Sequence, residues 1–388
     1  MKALICEGEW QPRKSYSLLG EEEKERSARV GRQVWRNPAL SLQIVEDPTL
    51  EADDVLIAVK ACGICGSDIH CRQADNEGYL RFSGPLSLPC ILGHEYTGEV
   101  REVGAAVSTL RPGDKVAAEG MLWCGLCEPC RRGTFNQCRI LKMVGFTSPG
   151  AFSEYILTKE RYCWNIESLG ESFSQEEIYP TGALIEPIGC AYNGLFVTGG
   201  GFLPGARIAV YGVGPIGLMA VALSRLAGAS RVIAFDLLPE RLEMASRMGA
   251  DTIINIKDLE TSHTSSGEVL IDISDGQGID VIVEAAGAAG KTMSDMLHAI
   301  GPNGKIIYLG RADSVAAIDF NCLVSGGNRL IGSRGHAGSS IFPSIIRLLA
   351  DGKLNPGSII TERCAFDDIL SAFEMASRTT QGKVMVLM

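Results

Sequence analysis

The sequence predicts an α/β chain of two domains, one β-rich and metal-binding, the other a doubly wound parallel sheet. Three observations predict it. Thiols, imidazole and carboxylates at metal-ligand spacing crowd the first half, while from residue 206 buried strands alternate with amphipathic helices. A glycine-rich turn, G-V-G-P-I-G at 212–217, sits where the second pattern begins. At 388 residues, 46% hydrophobic and 21% charged, the chain has the length and composition for two ordinary cores.

Charge and cysteine usage narrow the function classes. A formal net charge of −10, with no basic patch interleaved with aromatics, argues against a nucleic-acid partner. The start, MKALICEGEW, lacks the apolar core of a signal peptide, and no run reaches the roughly 18 apolar residues of a membrane span; a cytoplasmic protein without a membrane partner is expected. The cysteine count, thirteen, is odd, and four cysteines cluster at 124–138. Cys6, Cys163, Cys322 and Cys364 stand singly in apolar surroundings and read as small buried hydrophobes.

Taken in order, residues 2–6 read as a strand and 40–47, LSLQIVED, as a second. Between them, roughly 10–37 carries the charge run EEEKER and reads as a solvated excursion or short surface helix. Trp10, Tyr16 and Trp35 give it apolar surface to pack over a cleft or a neighbouring subunit. A strand at 55–60 then leads into C-G-I-C-G-S-D-I-H, residues 62–70. Cys65 is a candidate zinc ligand, because a thiolate beside a cation is stabilised and zinc accepts sulfur, nitrogen and oxygen together. Cys62 could instead pair with it as a redox CxxC, although no thioredoxin-like helix follows. Ser67 and His70 flank the site as a hydroxyl and an imidazole able to take and pass a proton, and Asp68 reads as a supporting carboxylate.

G-H-E at 93–95 adds His94, one of five histidines, and Glu95. Cys124, Cys127, Cys130 and Cys138 follow at C-x2-C-x2-C-x7-C spacing, the ligand set of a closed structural zinc site, with an iron–sulfur cluster as the alternative for the same thiolates. Its job would be to stiffen a loop too polar to have a core. In the apolar stretch ALIEPIGCAYNGL, Glu186 needs a partner if buried. A metal on Cys65 and His94 would supply one, and Cys190 is the competing ligand.

In the second half, Gly212 suits the tight turn, Gly214 the approach of a pyrophosphate and Gly217 close helix packing, with Pro215 and Ile216 opening the helix whose N-terminus receives the anion. Asp236, at the end of RVIAFD, is placed to bind the adenosine ribose hydroxyls and repel a 2′-phosphate, which favours NAD over NADP; Arg231 and Arg241 pull the other way. DTIINI, GIDVIVEAAG, GKIIYLG and RLIGSRG complete six strands with crossovers. The last strand, GKVMVL, is expected to return to the first domain, so that 1–190 with 335–388 surround a dinucleotide-binding domain at 191–334. His336 reads first as an exposed loop histidine, with an approach to the cofactor or substrate as the alternative, and His263 and His298 read as ordinary surface and helix residues.

Together these motifs resemble the zinc-containing medium-chain alcohol and polyol dehydrogenases over nearly the whole chain. The resemblance implies a GroES-like, partly open β-barrel catalytic domain, a Rossmann cofactor domain and a cleft between them, with one catalytic and one structural zinc per chain and NAD. Glutamate at 186, where alcohol dehydrogenases carry cysteine, resembles the sorbitol, threonine and glucose dehydrogenase branch, whose members differ in whether the glutamate at 95 or at 186 contacts the metal. The activity so implied is reversible hydride transfer between NAD and a secondary alcohol of a polyol, sugar alcohol or cyclitol, aminocyclitols included. Ser67 would take the hydroxyl proton and His70 pass it to solvent. The partners implied are a small alcohol or ketone and further copies of the chain, as a homodimer or homotetramer. A threonine-type amino alcohol dehydrogenase and a noncatalytic NAD-binding protein are the rival expectations. Two features depart from the family: the extra residues near 10–37, and Asn193 where the branch tends to carry histidine.

Overall fold

Alternation along the strand that precedes Cys65 organises the first half: Val55, Ile57, Val59 and Ala61 are all buried. The computed structural model describes residues 1–311, 315–336, 338, 340–378 and 382–388. It divides into two compact units, Met1–Glu186 with Phe342–Gly352 and Ile360–Met388, and Pro187–Ile341 with Lys353–Ile359.

In the first unit, β1 (Lys2–Trp10) pairs antiparallel with β2 (Trp35–Ile44), from Lys2 opposite Ile44 to Trp10 opposite Trp35. Both strands run closer to the intervening segment than expected. That segment holds a helix, Gly20–Glu25, and a two-residue strand, Ser27–Ala28, paired with Leu86–Ser87. Its tryptophans explain the difference: Trp35 is buried, Trp10 meets it edge-on at 5.0 Å, and the Trp35 indole N–H donates to the Leu86 carbonyl at 2.9 Å. The excursion therefore packs on its own domain and is not merely solvated.

The main sheet of this unit is built from β3 (Asp54–Gly63), β4 (Glu95–Val103), β5 (Lys115–Ala118), β6 (Tyr155–Lys159) and β7 (Cys163–Asn165). The strands run antiparallel in the order β7-β5-β4-β3, with β6 also on β3. Leu4, Tyr96, Val100, Val116, Phe152 and Phe373 fill the core beside it.

The second unit is a six-stranded sheet. β8 (Arg207–Tyr211), β9 (Arg231–Asp236), β10 (Thr252–Asn255), β11 (Ile279–Glu284), β12 (Ile300–Tyr308) and β13 (Arg329–Gly332) are all parallel, in the order β10-β9-β8-β11-β12-β13. Ile208, Ala209 and Val210 are buried in succession, as are Val232, Ile233 and Ala234, because helices cover both faces of a parallel sheet. Strand order reverses between β8 and β11, the crevice where such sheets bind ligands. His336 corrects the expectation of an exposed histidine: it is fully buried, and the missing side chain of Gly189 admits it, since a Cβ there would lie 3.3 Å from the His336 Cβ.

The chain returns to the first unit with β14 (Ile360–Ala365) and β15 (Lys383–Leu387), β15 pairing parallel with β14 and antiparallel with β3. Among the described residues no helix is long and apolar enough to cross a membrane.

Candidate active site

Helix α1 (Gly66–Arg72) starts at Cys65, whose extended backbone makes it the N-cap. Asp68, three residues on, turns back so that its carboxylate accepts from the Cys65 N–H at 2.9 Å, satisfying a donor the helix end leaves free. Asp68 is fully buried and does more than cap. Its other oxygen accepts from the Gly93 N–H at 3.3 Å and lies 3.5 Å from His94 Nδ1.

His94 Nε2 faces the other way, 3.4 Å from Ser67 Oγ. Burial would lower the pKa of this imidazole, but the Asp68 carboxylate outweighs it and holds the value well above the usual histidine range. An environment that favours positive charge on the ring also favours a cation at Nε2, and a carboxylate on the far nitrogen is how a metal-binding histidine is commonly oriented. Cys65, His94 and Glu95 bring one ligand atom each to within 4.8 Å of one another. Sulfur, nitrogen and oxygen donors in one group suit zinc with a position left for substrate.

Glu95 has a partner far away in the sequence. Lys383, at the start of β15, is as buried as Glu95, and its ammonium donates to both carboxylate oxygens at 2.7 and 2.6 Å and to the Ile64 carbonyl at 3.2 Å. Burial works against the charged lysine, but the attraction of Glu95 wins and raises its pKa. Gly63, opposite Glu95 in the β3–β4 register, makes the room, since a Cβ there would fall 2.3 Å from Glu95 Oε2. The Glu186 carboxylate lies near enough to act electrostatically on Glu95 and Lys383, outside the close ligand group. A lysine inside the apolar strand KVMVL was the signal to follow, because such a charge is buried only with a partner. His70 is exposed on α1, and its carbonyl accepts from the Arg81 and Phe82 N–H groups.

The four cysteines at 124–138 form a second cluster, all four sulfurs within 4.8 Å of one another. Cys127 Sγ is 3.4 Å from Cys130 Sγ and 3.8 Å from Cys138 Sγ, against an edge of about 3.8 Å for a tetrahedron of zinc–thiolate bonds. Backbone N–H groups of Arg139 and Cys130 draw the Cys127 thiol down to about 6, and those of Cys127 and Leu126 lower Cys124. Burial pushes Cys130 up to about 12, so a metal is what would keep it a thiolate beside the others. A third group, Glu51, Asp53 and Asp54, already holds a cation: Lys159 Nζ lies 3.0, 2.7 and 2.8 Å from the three carboxylates.

In the second unit, Gly212 has φ +82° and a Cβ there would meet Ala286 at 2.6 Å, so only glycine fits the turn. At Gly217 a Cβ would fall 1.9 Å from the Gly212 carbonyl. Gly214 is the N-cap of α2 (Pro215–Leu226), and a Cβ there would meet only Arg241 Nη1, at 3.7 Å. That open approach to the helix N-terminus, with Pro215 and Ile216 in its first turn, fits a pyrophosphate. The Arg241 Nε beside it is buried with no hydrogen-bond partner among the described residues, a donor a cofactor oxygen would satisfy. Asp236 accepts from the Val213 N–H at 2.8 Å and from Leu237 and Leu238 at 2.7 and 3.1 Å, which ties the glycine turn to the end of β9.

Comparison with known proteins covers both units. The family described as "Alcohol dehydrogenase GroES-like domain" matches residues 51–168, and "Zinc-binding dehydrogenase" matches 215–351. The chain is 34% identical over 380 residues to scyllo-inosose 3-dehydrogenase of Thermotoga maritima, covering 95% of each. It is 32% identical over 350 residues to L-threonine 3-dehydrogenase of Rhizobium johnstonii, covering 89% of this chain and 94% of that one. A solved structure from Thermotoga maritima, carrying an unconfirmed alcohol dehydrogenase assignment, superimposes with a TM-score of 0.94 at 32% identity over all of both chains.

Proposed function

Because the chain belongs to the zinc-dependent medium-chain dehydrogenases, with their GroES-like and Rossmann-like domains, we propose that its reaction is the reversible oxidation of a secondary alcohol on a polyol, sugar alcohol or cyclitol, with NAD as hydride acceptor. That it is a zinc- and NAD-dependent dehydrogenase of an alcohol-type substrate follows from the family. The observation that supports alcohol oxidation at this site is the Cys65, His94 and Glu95 group with the Ser67 hydroxyl beside His94.

Cys65 and His94 would hold the catalytic zinc, with Glu186 or Glu95 completing the set; the grip of Lys383 on Glu95 supports Glu186. When bound, zinc supplies Lewis acidity that lowers the pKa of a substrate hydroxyl. Ser67 would accept the substrate hydroxyl proton as it releases its own onward to His70, which is exposed one helical turn along α1 and exchanges the proton with solvent. Asp68 keeps His94 oriented throughout. NAD supplies the hydride acceptor. Gly212, Gly214 and Gly217, with Pro215 and Ile216, cradle its pyrophosphate, and Asp236 selects it over NADP through the ribose hydroxyls, with Arg241 against the cofactor phosphates. Cys124, Cys127, Cys130 and Cys138 would hold one structural zinc. By the habit of the family the enzyme is a cytoplasmic homodimer or homotetramer.

A cyclitol or a ketone derived from one is the favoured substrate, supported by the named substrate of the Thermotoga maritima relative, which aligns over 95% of the chain. The test is NAD reduction by the zinc-loaded protein across cyclitols, linear polyols, simple secondary alcohols and threonine, repeated with NADP. Highest kcat/KM on a cyclitol or polyol with NAD is expected. Highest kcat/KM on threonine would move the enzyme to the amino alcohol branch.

A further inference from the structure

Residues 10–37 take no part in the chemistry above, yet they are built with care. Glu22, from the charge run, is 4% exposed and accepts four hydrogen bonds: from the Tyr16 hydroxyl at 2.8 Å, the Leu19 N–H at 3.0 Å, and the Arg29 N–H and Nε at 2.8 and 3.0 Å. A buried carboxylate so fully satisfied fixes the segment around itself.

The segment spends this order on one neighbour, the loop at 75–87. Ser27–Ala28 pairs with Leu86–Ser87, the Gly31 N–H donates to the Gly84 carbonyl at 2.9 Å, and the Arg32 N–H donates to the Phe82 carbonyl at 2.8 Å. Arg13 forms ion pairs with Asp75 and Glu77 and lies 3.9 Å over the Tyr79 ring. The seam is tight: a Cβ on Gly31 would lie 3.1 Å from the Phe82 carbonyl and 3.2 Å from the Leu86 Cβ. On its far side this loop reaches the metal ligands. Phe82 stacks on Phe146 at 4.5 Å, with 9° between the rings, and Phe146 meets the His94 ring at 5.0 Å.

We propose that residues 10–37 brace the catalytic metal site, holding the His94 ring in place through Phe82 and Phe146. The Asp68 carboxylate lies 3.5 Å from one edge of that ring, and Phe146, tilted 45° to it and backed by Phe82, packs against it. Phe82 and Phe146 are then positioning residues, and the inference rests on His94 being a ligand of the catalytic zinc. The cysteine cluster, which draws its ligands from its own loop, is the internal control.

The experiment uses full-length, zinc-loaded protein and follows the release of each zinc to a colorimetric chelator, together with the ligand-field spectrum after cobalt replaces the catalytic zinc. Phe82→Leu should speed release of one zinc about tenfold and shift the cobalt bands, while the second zinc stays put and the unfolding midpoint falls only modestly, as for any trimmed core ring. Gly31→Ala, which adds one methyl at the seam, should do the same to a smaller degree, and it carries the test if Phe82→Leu does not fold. Unchanged release and unchanged bands in the folded variants overturn the brace. Faster release of both zincs together also overturns it, because that reports a domain loosened as a whole. If the unmutated protein holds one zinc only, and loses it on mutation of Cys127, the reading of His94 fails first and takes the brace with it.

Discussion

The two metal clusters of the first unit are built on opposite plans. The cysteine cluster takes four identical ligands from one loop, with backbone N–H groups pointed at its sulfurs, so local sequence is enough to assemble it. The Cys65–His94 cluster brings together different atoms from separate stretches of chain, and its surroundings support it: the Asp68 carboxylate lies 3.5 Å from His94 Nδ1, and Lys383 pairs with Glu95. The first plan yields a rigid, closed knot. The second leaves room for substrate and makes the chemistry depend on the whole domain.

The sharpest way to break this contrast is to remove one ligand from each cluster. Cys65→Ala or His94→Ala should cut turnover about a thousandfold or more while NAD binding, followed by fluorescence titration, persists. Cys127→Ala should instead lower the unfolding midpoint and the metal content, with activity retained by whatever fraction stays folded. Turnover near normal in the first pair, or an unaltered melting curve with both metals retained in the second, would erase the distinction.

Lys383→Met probes the support behind the open site. It strands Glu95 as a buried, unpaired charge, and unfolding in denaturant should show a loss of about 3–5 kcal/mol. Adding Glu95→Gln should restore most of it, since the double variant removes both charges. A single variant as stable as the parent would show that Glu95 finds another cation.

The smallest expected effect lies in Glu22. Burial pushes its pKa up, but the N–H groups of Arg29 and Leu19, the Tyr16 hydroxyl and the Arg29 guanidinium outweigh that and hold it below the ordinary 4.5. A carboxylate lowered on folding stabilises fully above its unfolded pKa and loses that contribution as pH falls through the folded value. The gap in unfolding midpoint between the parent and Glu22→Gln should therefore be constant near neutral pH and narrow as pH drops below 4.5. A gap independent of pH would mean that Glu22 is held for its shape alone.

The same contrast explains what could be read in advance. The two-domain α/β architecture and the six-stranded sheet were legible because alternation, buried runs and glycine turns are local signals. So was the cysteine spacing. Lys383 was not, because its partner is 288 positions away and only the β3–β15 pairing brings the two together. Glu22 sat in a run of like residues, and nothing in EEEKER marks which one turns inward. The burial of His336 is hidden for a related reason: a glycine-flanked loop looks exposed until a distant glycine, Gly189, opens a space for it.

The pairing of Lys383 with Glu95 also orders events in time. Ribosomes make the chain from one end, and domains fold as their residues emerge. Cys138 is in hand long before residue 383, so the cysteine loop can capture its ion on the nascent chain. Glu95 must wait, solvated and open, until β15 is delivered and laid against β3. The counter-charge of Glu95 therefore arrives with the last strand, after every cysteine of the 124–138 loop is already in the chain.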